Sequence, residues 1–349
     1  MAKVNSAQTG LAELKQHLKS GEFAPLYFFY GEERYLQEYY LSALRKKLVD
    51  GPMEEFNYRR FTTENFSLSA LKDAVEALPM MAEYTLVQVD DFDPFAQNEE
   101  TRKYLTEFFA DLPDTCCLVF YYDTVKYSRN GTMKKLLAAI TEHGVEVEFQ
   151  KQSQQELAEW ISRHFRALEK TITPDLCQHL IFLTGGDMTT LHSEILKIAS
   201  YSRMSAISKL DIDMVVEPVL SAAVFDVTDA LSEKNFDRAM GKLRDLFQNR
   251  EEPIAVLAAV GSHFRRLYLA KTITSAGKGL DVLMEALSTN KDYYPRKLMN
   301  QASRFSQNFL SAALRACFEA DSAMKSNQSK DSERVLELLL LTLAQEANR

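Results

Sequence analysis

At 349 residues the chain is too long for one compact core and is expected to form two or three domains. Apolar residues make up 46% and charged residues 26%, a composition that excludes a disordered chain. No run of about 18 apolar residues is present, which excludes a membrane-spanning helix. The opening MAKVNSAQTG lacks the apolar core of a secretion signal, so a cytoplasmic protein is expected. The net charge of −8 is unevenly spread: residues 1–150 carry 16 Lys/Arg against 24 Asp/Glu, residues 151–233 carry 7 against 12, and residues 234–349 carry 18 against 13. Non-specific DNA affinity scales with the phosphates neutralised, so this balance predicts nucleic-acid contact only when shared with partners.

In chain order, Leu11, Leu14 and Leu18 predict a short helix ending near Gly21. Leu26 to Tyr30 is short, aromatic and continuously apolar, the pattern of a buried parallel strand, and Gly31 closes it. Leu36, Tyr40, Leu44 and Leu48 then line one face of a helix. Asn57 to Thr62 alternates weakly as a candidate second strand. Ser67 predicts the N-cap of a helix through Leu68, Leu71, Val75 and Leu78 that Pro79 stops. Tyr84 to Val89, Cys116 to Tyr122 and Val145 to Phe149 read as strands, with helices around Tyr104–Phe109 and Met133–Ile140 between them. Strands alternating with helices predict an α/β domain with a mostly parallel sheet.

From Gln152 onward the pattern is helical. Ser153 opens one helix, Pro174 sits in the first turn of a second that ends at Gly185-Gly186, and Leu191, Ile195 and Ile198 carry a third. Further helices are expected over Val224–Leu231, Phe236–Phe247, Pro253–Ile273, Phe309–Met324 and Val335–Ala344. The resulting division is residues 1–150 as an α/β domain, 151–217 as a small helical domain and 218–349 as a third, all-helical domain.

A strand, a tight Gly turn and a helix is where a phosphate-binding loop would sit, but Gly31-Glu32-Glu33-Arg34 has no second Gly, no Lys and no Ser/Thr. Two carboxylates stand where phosphate oxygens would need donors. The stretch therefore reads as a degenerate phosphate loop, and no cofactor is expected. Asp90-Asp91 after LVQV matches an acid pair for magnesium, yet without the loop it has no nucleotide to serve. The six histidines form no metal-ligand spacing, the four cysteines form no C-x-x-C, and G-x-S-x-G is absent, so no metal site or nucleophile is expected. Leu78-Pro79-Met80-Met81 admits two readings: the apolar side chains cap the sheet, or they anchor a partner, methionine being adaptable at binding surfaces.

Six segments in order, PLYFFYGEERYLQE, ALPMMAEYTLVQVDDF, WISRHF, DMTTLHSEILKIASYS, AAVFDVTDAL and EEPIAVLAAVGSHFRRLY, resemble the delta subunit of the bacterial DNA polymerase III clamp loader across nearly the whole chain. The resemblance implies an AAA+-like α/β domain, a helical lid and a helical collar. It implies a member without ATPase activity, counted within the polymerase holoenzyme, that binds and opens the sliding clamp. Leu78, Pro79, Met80 and Met81 fall at the clamp-binding position, where the family commonly has Leu-Phe or Phe-Phe. The implied partners are the clamp, the tau/gamma and delta prime subunits through the C-terminal domain, and primer-template DNA, with Arg59, Arg60 and Lys103 as candidate DNA-facing residues. The alternatives are an active AAA+ or P-loop ATPase with a divergent loop, and a helical scaffold unrelated to replication.

Overall fold

The computed structural model describes residues 6–289, 291–326 and 331–347; the start of the stretch read for a targeting signal lies outside them. The chain divides into two compact units, Met1–Gln152 and Ser153–Arg349.

The first unit runs α1 (Ser6–Ser20), β1 (Leu26–Gly31), α2 (Arg34–Leu48), α3 (Glu54–Asn57), β2 (Tyr58–Phe61), α4 (Leu68–Glu76), β3 (Thr85–Asp90), α5 (Glu99–Ala110), β4 (Cys116–Tyr121), α6 (Lys134–His143) and β5 (Gly144–Phe149). All five strands are parallel, in the order β2-β3-β4-β1-β5. This is the parallel α/β class expected from the sequence. Because β1, β3 and β4 are interior strands with helices on both faces, their side chains are buried on both sides, which is why they read as unbroken apolar runs. Leu26 and Phe28 of β1 face α4, α5 and α6, with Phe28 stacked on Phe120 at 5.0 Å. Tyr27 and Phe29 face α1 and α2 together with Val147 and Phe149. The edge strand β5 alternates buried and half-buried positions instead.

Ser67 caps α4 by accepting from the Ala70 N–H, as expected. The helix is nevertheless shorter than the sequence suggests. It ends at Glu76, Ala77 is already extended, and Leu78 lies beyond it, because the residue before a proline is driven out of the helical region and here the exit comes one residue earlier still.

The second unit is helical: α7 (Gln154–Ala167), α8 (Pro174–Thr184), α9 (Met188–Tyr201), α10 (Lys209–Val215), α11 (Leu220–Ser232), α12 (Phe236–Gln248), α13 (Pro253–Ser275), α14 (Leu280–Ala286), α15 (Tyr293–Ser303), α16 (Gln307–Lys325) and α17 (Ser332–Ala347). A capping box of Ser153 and Glu156 starts α7, and Gly185, at φ +73°, ends α8. The largest core of the unit surrounds α13, whose buried Val256, Val260, Phe264 and Leu267 face α11, α16 and α17. Helices α3, α10, α14 and α15 have no counterpart in the sequence reading. The first three are too short for a period to show, and α15 buries a polar residue where a leucine would have marked it. That residue, Gln301, bonds His263 Nε2 at 2.8 Å and reaches the Phe225 carbonyl and Thr228 Oγ1. Outside the first unit the described residues add only an isolated bridge, Thr171 to Ala206, rather than a sheet. Cys116, Cys117, Cys177 and Cys317 are all buried. No helix among the described residues is long and apolar enough to cross a membrane.

Candidate functional site

In parallel α/β sheets, ligands bind in the crevice outside the C-terminal ends of the strands. Here that end is closed by the protein's own groups. Only Glu32 and Glu33 connect β1 to α2, and the Glu33 N–H donates to the Phe149 carbonyl at 2.9 Å, drawing the turn against β5. Gly31 adopts φ +131°, and a Cβ there would lie 2.3 Å from the Phe149 oxygen, so this glycine is required by the neighbouring strand. Gln37, fully buried on α2, donates from Nε2 to the Gly31 carbonyl at 3.1 Å. Arg34 pairs with Asp123 at 2.8 Å.

Both acids at the end of β3 are likewise engaged. Asp90 accepts from Arg60 Nε at 2.7 Å and from Gln88. Asp91, at φ +52°, receives the N–H groups of Asp123, Thr124 and Val125 at 2.8–3.0 Å and the Thr124 hydroxyl at 2.6 Å. Partial burial works to raise its pKa, but these bonds together outweigh it and hold the carboxyl below its ordinary range. The pair therefore braces the β3 and β4 exits, leaving Asp91 few lone pairs for a metal ion.

The opposite end of the sheet is open and apolar. Between α4 and β3 the chain presents Leu78 at 82%, Met80 at 49% and Met81 at 86% exposure, with Pro79 half-buried. Met81 sits in the left-handed region at φ +54°, rare for a residue of its kind. The capping alternative required these side chains in the core, and they stand in solvent.

The three basic candidates are dispersed. Arg59 and Arg60 lie on the edge strand β2, where among the described residues Arg59 reaches only the Glu55 carbonyl and Arg60 is neutralised by Asp90. Lys103 lies on α5 in a groove shared with Arg102, Lys134 and Lys135, alongside Glu99 and Glu107.

Comparison with known proteins places the chain. A family model described as DNA polymerase III, delta subunit, matches residues 27–150, and one for the C-terminal domain of the same subunit matches residues 221–343, together well over half of the sequence. The DNA polymerase III subunit delta of Bacillus subtilis is 26% identical over 336 residues, covering 93% of this chain and 94% of that protein. The chain belongs to the DNA polymerase III delta-subunit family. A probable DNA polymerase III subunit delta of Aquifex aeolicus is 20% identical over 280 residues, 78% of each chain. The solved Bacillus subtilis DNA clamp loader delta protein has the same fold, with a TM-score of 0.59 at 24% identity over 96% of this chain and 99% of that one. The first delta-subunit match starts inside β1 and ends just past β5, so it takes in nearly the whole sheet and the exposed loop. The second runs from α11 into α17.

Within this delta-family chain the sequence reading overlooked Asn57. It ends α3, is 2% exposed, donates from Nδ2 to the Met80 carbonyl at 2.9 Å and accepts the Met80 N–H on Oδ1 at 2.7 Å. An asparagine before a strand is an ordinary turn residue, and nothing local to it marks a partner 23 residues away.

Proposed function

We propose that this chain is the delta subunit of a clamp loader, which grips one face of a ring-shaped sliding clamp through Leu78, Pro79, Met80 and Met81 and holds an interface of the ring open. The observation that carries this reading is the exposure of three large apolar side chains on a loop whose backbone is held fixed. Burying Met80 and Met81 in a pocket of the clamp is worth roughly 3–6 kcal/mol before ordering costs. Binding favours the open ring only by the difference in affinity between open and closed forms.

The chain itself acts without hydrolysing ATP. This is supported by the two-residue β1–α2 turn, the carboxylates of Glu32 and Glu33, and the engagement of Asp90 and Asp91 by protein donors. Neighbouring ATPase subunits then supply the cycle. Residues 1–150 serve as the AAA+-like domain, 151–217 as the lid and 218–349 as the collar. On α16 and α17, Phe318, Leu338 and Leu341 are exposed while Leu336, Leu339, Leu340 and Leu343 are buried, so the Leu-rich helix has an outward apolar face suited to the tau/gamma and delta prime subunits. Primer-template DNA passes through the assembled complex in the cytoplasm. Of the candidate DNA-facing residues, Lys103 is the best placed, because its groove gathers four cations whereas Arg60 is already paired.

Calorimetric titration of the full chain against its cognate sliding clamp tests the reading, with ATP titrated in parallel. Saturable clamp binding and no saturable ATP binding are expected. A micromolar ATP affinity, or no heat with the clamp, would refute it.

A further inference from the structure

We propose that Asn57 is the positioning residue for the clamp-binding loop, and that Arg45 on α2 sets Asn57 in turn. The inference rests on reading Leu78–Met81 as the clamp contact. Pro79 has no N–H to donate. Among the described residues, the two Asn57 bonds to Met80 are the only hydrogen bonds that reach residues 78–83. They engage both backbone groups of one residue, which fixes the planes of the peptides on either side. Loop orientation therefore depends on a single buried amide, and the left-handed turn at Met81 starts from that fixed point.

The amide has its own support. Helix α3 is one turn long, too short to hold itself. The Arg45 guanidinium stacks 4.2 Å above the Tyr58 ring and pairs with Glu54, so it grips the residues on both sides of Asn57. A continuous path thus runs from the helix after the degenerate phosphate loop, through Arg45, Glu54 and Tyr58, to Asn57 and Met80. Its effect is pre-organisation: the apolar side chains are presented on an ordered backbone, and less entropy is lost on docking.

The test is a double-mutant cycle on the full chain, titrated with the cognate sliding clamp. Asn57→Ala is expected to weaken binding about tenfold when Met80 and Met81 are present, through loss of two hydrogen bonds and loop order. In the Met80→Ala/Met81→Ala background it is expected to change affinity less than about twofold, because a positioning residue acts only through what it positions. Arg45→Gln is expected to cost about threefold and serves if Asn57→Ala does not fold, whereas Asn57→Asp, which sets an oxygen against the Met80 carbonyl, is expected to cost at least as much as Asn57→Ala. Amide exchange at Met80 in the free Asn57→Ala chain is expected to accelerate. Equal loss in both backgrounds, or no loss from any of these variants while Met80→Ala/Met81→Ala still weakens binding, overturns the role of Asn57 alone. Unchanged binding by Met80→Ala/Met81→Ala overturns the anchor reading and this inference with it.

Discussion

The two ends of the parallel sheet have been built on opposite principles. At the C-terminal end the protein uses these residues for itself: Gly31 lets the turn close on the Phe149 carbonyl, Arg34 pairs with Asp123, Asp90 with Arg60, and Asp91 holds the loop after β4. At the N-terminal end one buried amide holds a loop whose apolar side chains Leu78 and Met81 stand in solvent and whose Met80 is half exposed. The first arrangement converts a would-be ligand site into a structural seam. The second spends a little backbone restraint to keep a sticky surface in solvent. Substitutions at the first end should therefore act on folding, and substitutions at the second on association.

The largest separation is expected from Gly31→Ala. Its methyl group would meet the Phe149 oxygen and strain a φ of +131°, so chemical denaturation should report a loss of about 3–5 kcal/mol. A stable Gly31→Ala chain would mean the turn is not held against β5. Next comes Met80→Ala/Met81→Ala, for which clamp affinity should fall by about 2–4 kcal/mol while the melting temperature barely moves. If the melt collapses and affinity survives, the two ends have been assigned the wrong way round.

A smaller effect is expected from Asp91→Ala, about 2 kcal/mol of stability from unpaired donors at the β4 exit, with clamp affinity unchanged. The same residue has a pH signature. Its folded pKa is depressed, so its contribution is fully present above the ordinary value of 3.8 and is lost as pH falls below that through the folded value. Asp91→Asn should flatten the part of the acid melting profile below pH 3.8, and an identical profile in the variant would contradict the assigned bonds. The smallest effect belongs to Arg60→Gln. Its guanidinium is more than half exposed and Asp90, though mostly buried, keeps the Gln88 amide, so a loss of about 1 kcal/mol is expected.

The sheet was legible because interior parallel strands must be apolar on both faces, and Leu26 to Tyr30 and Cys116 to Tyr122 have no other economical reading. Exposure of Met80 and Met81 was legible in part, through Pro79, which forbids the helix that would have carried them into the core. Leu78 was misplaced because its spacing from Leu71 and Val75 continues the helical period past the point where the backbone leaves it. Asn57 and Gln37 could not be found by period at all. Both are buried polar side chains whose meaning lies in a backbone group reached only after folding.

The four buried thiols have a practical corollary. Burial pushes Cys116 up to about 11 and Cys317 up to about 12, and raises Cys117 and Cys177 as well. Alkylating reagents attack the thiolate, so at neutral pH the native chain offers them almost nothing. A Met81→Cys variant would consequently carry one reactive sulfur on an otherwise silent background. A fluorophore attached there would sit on the loop itself, and its emission would record the moment that loop leaves water.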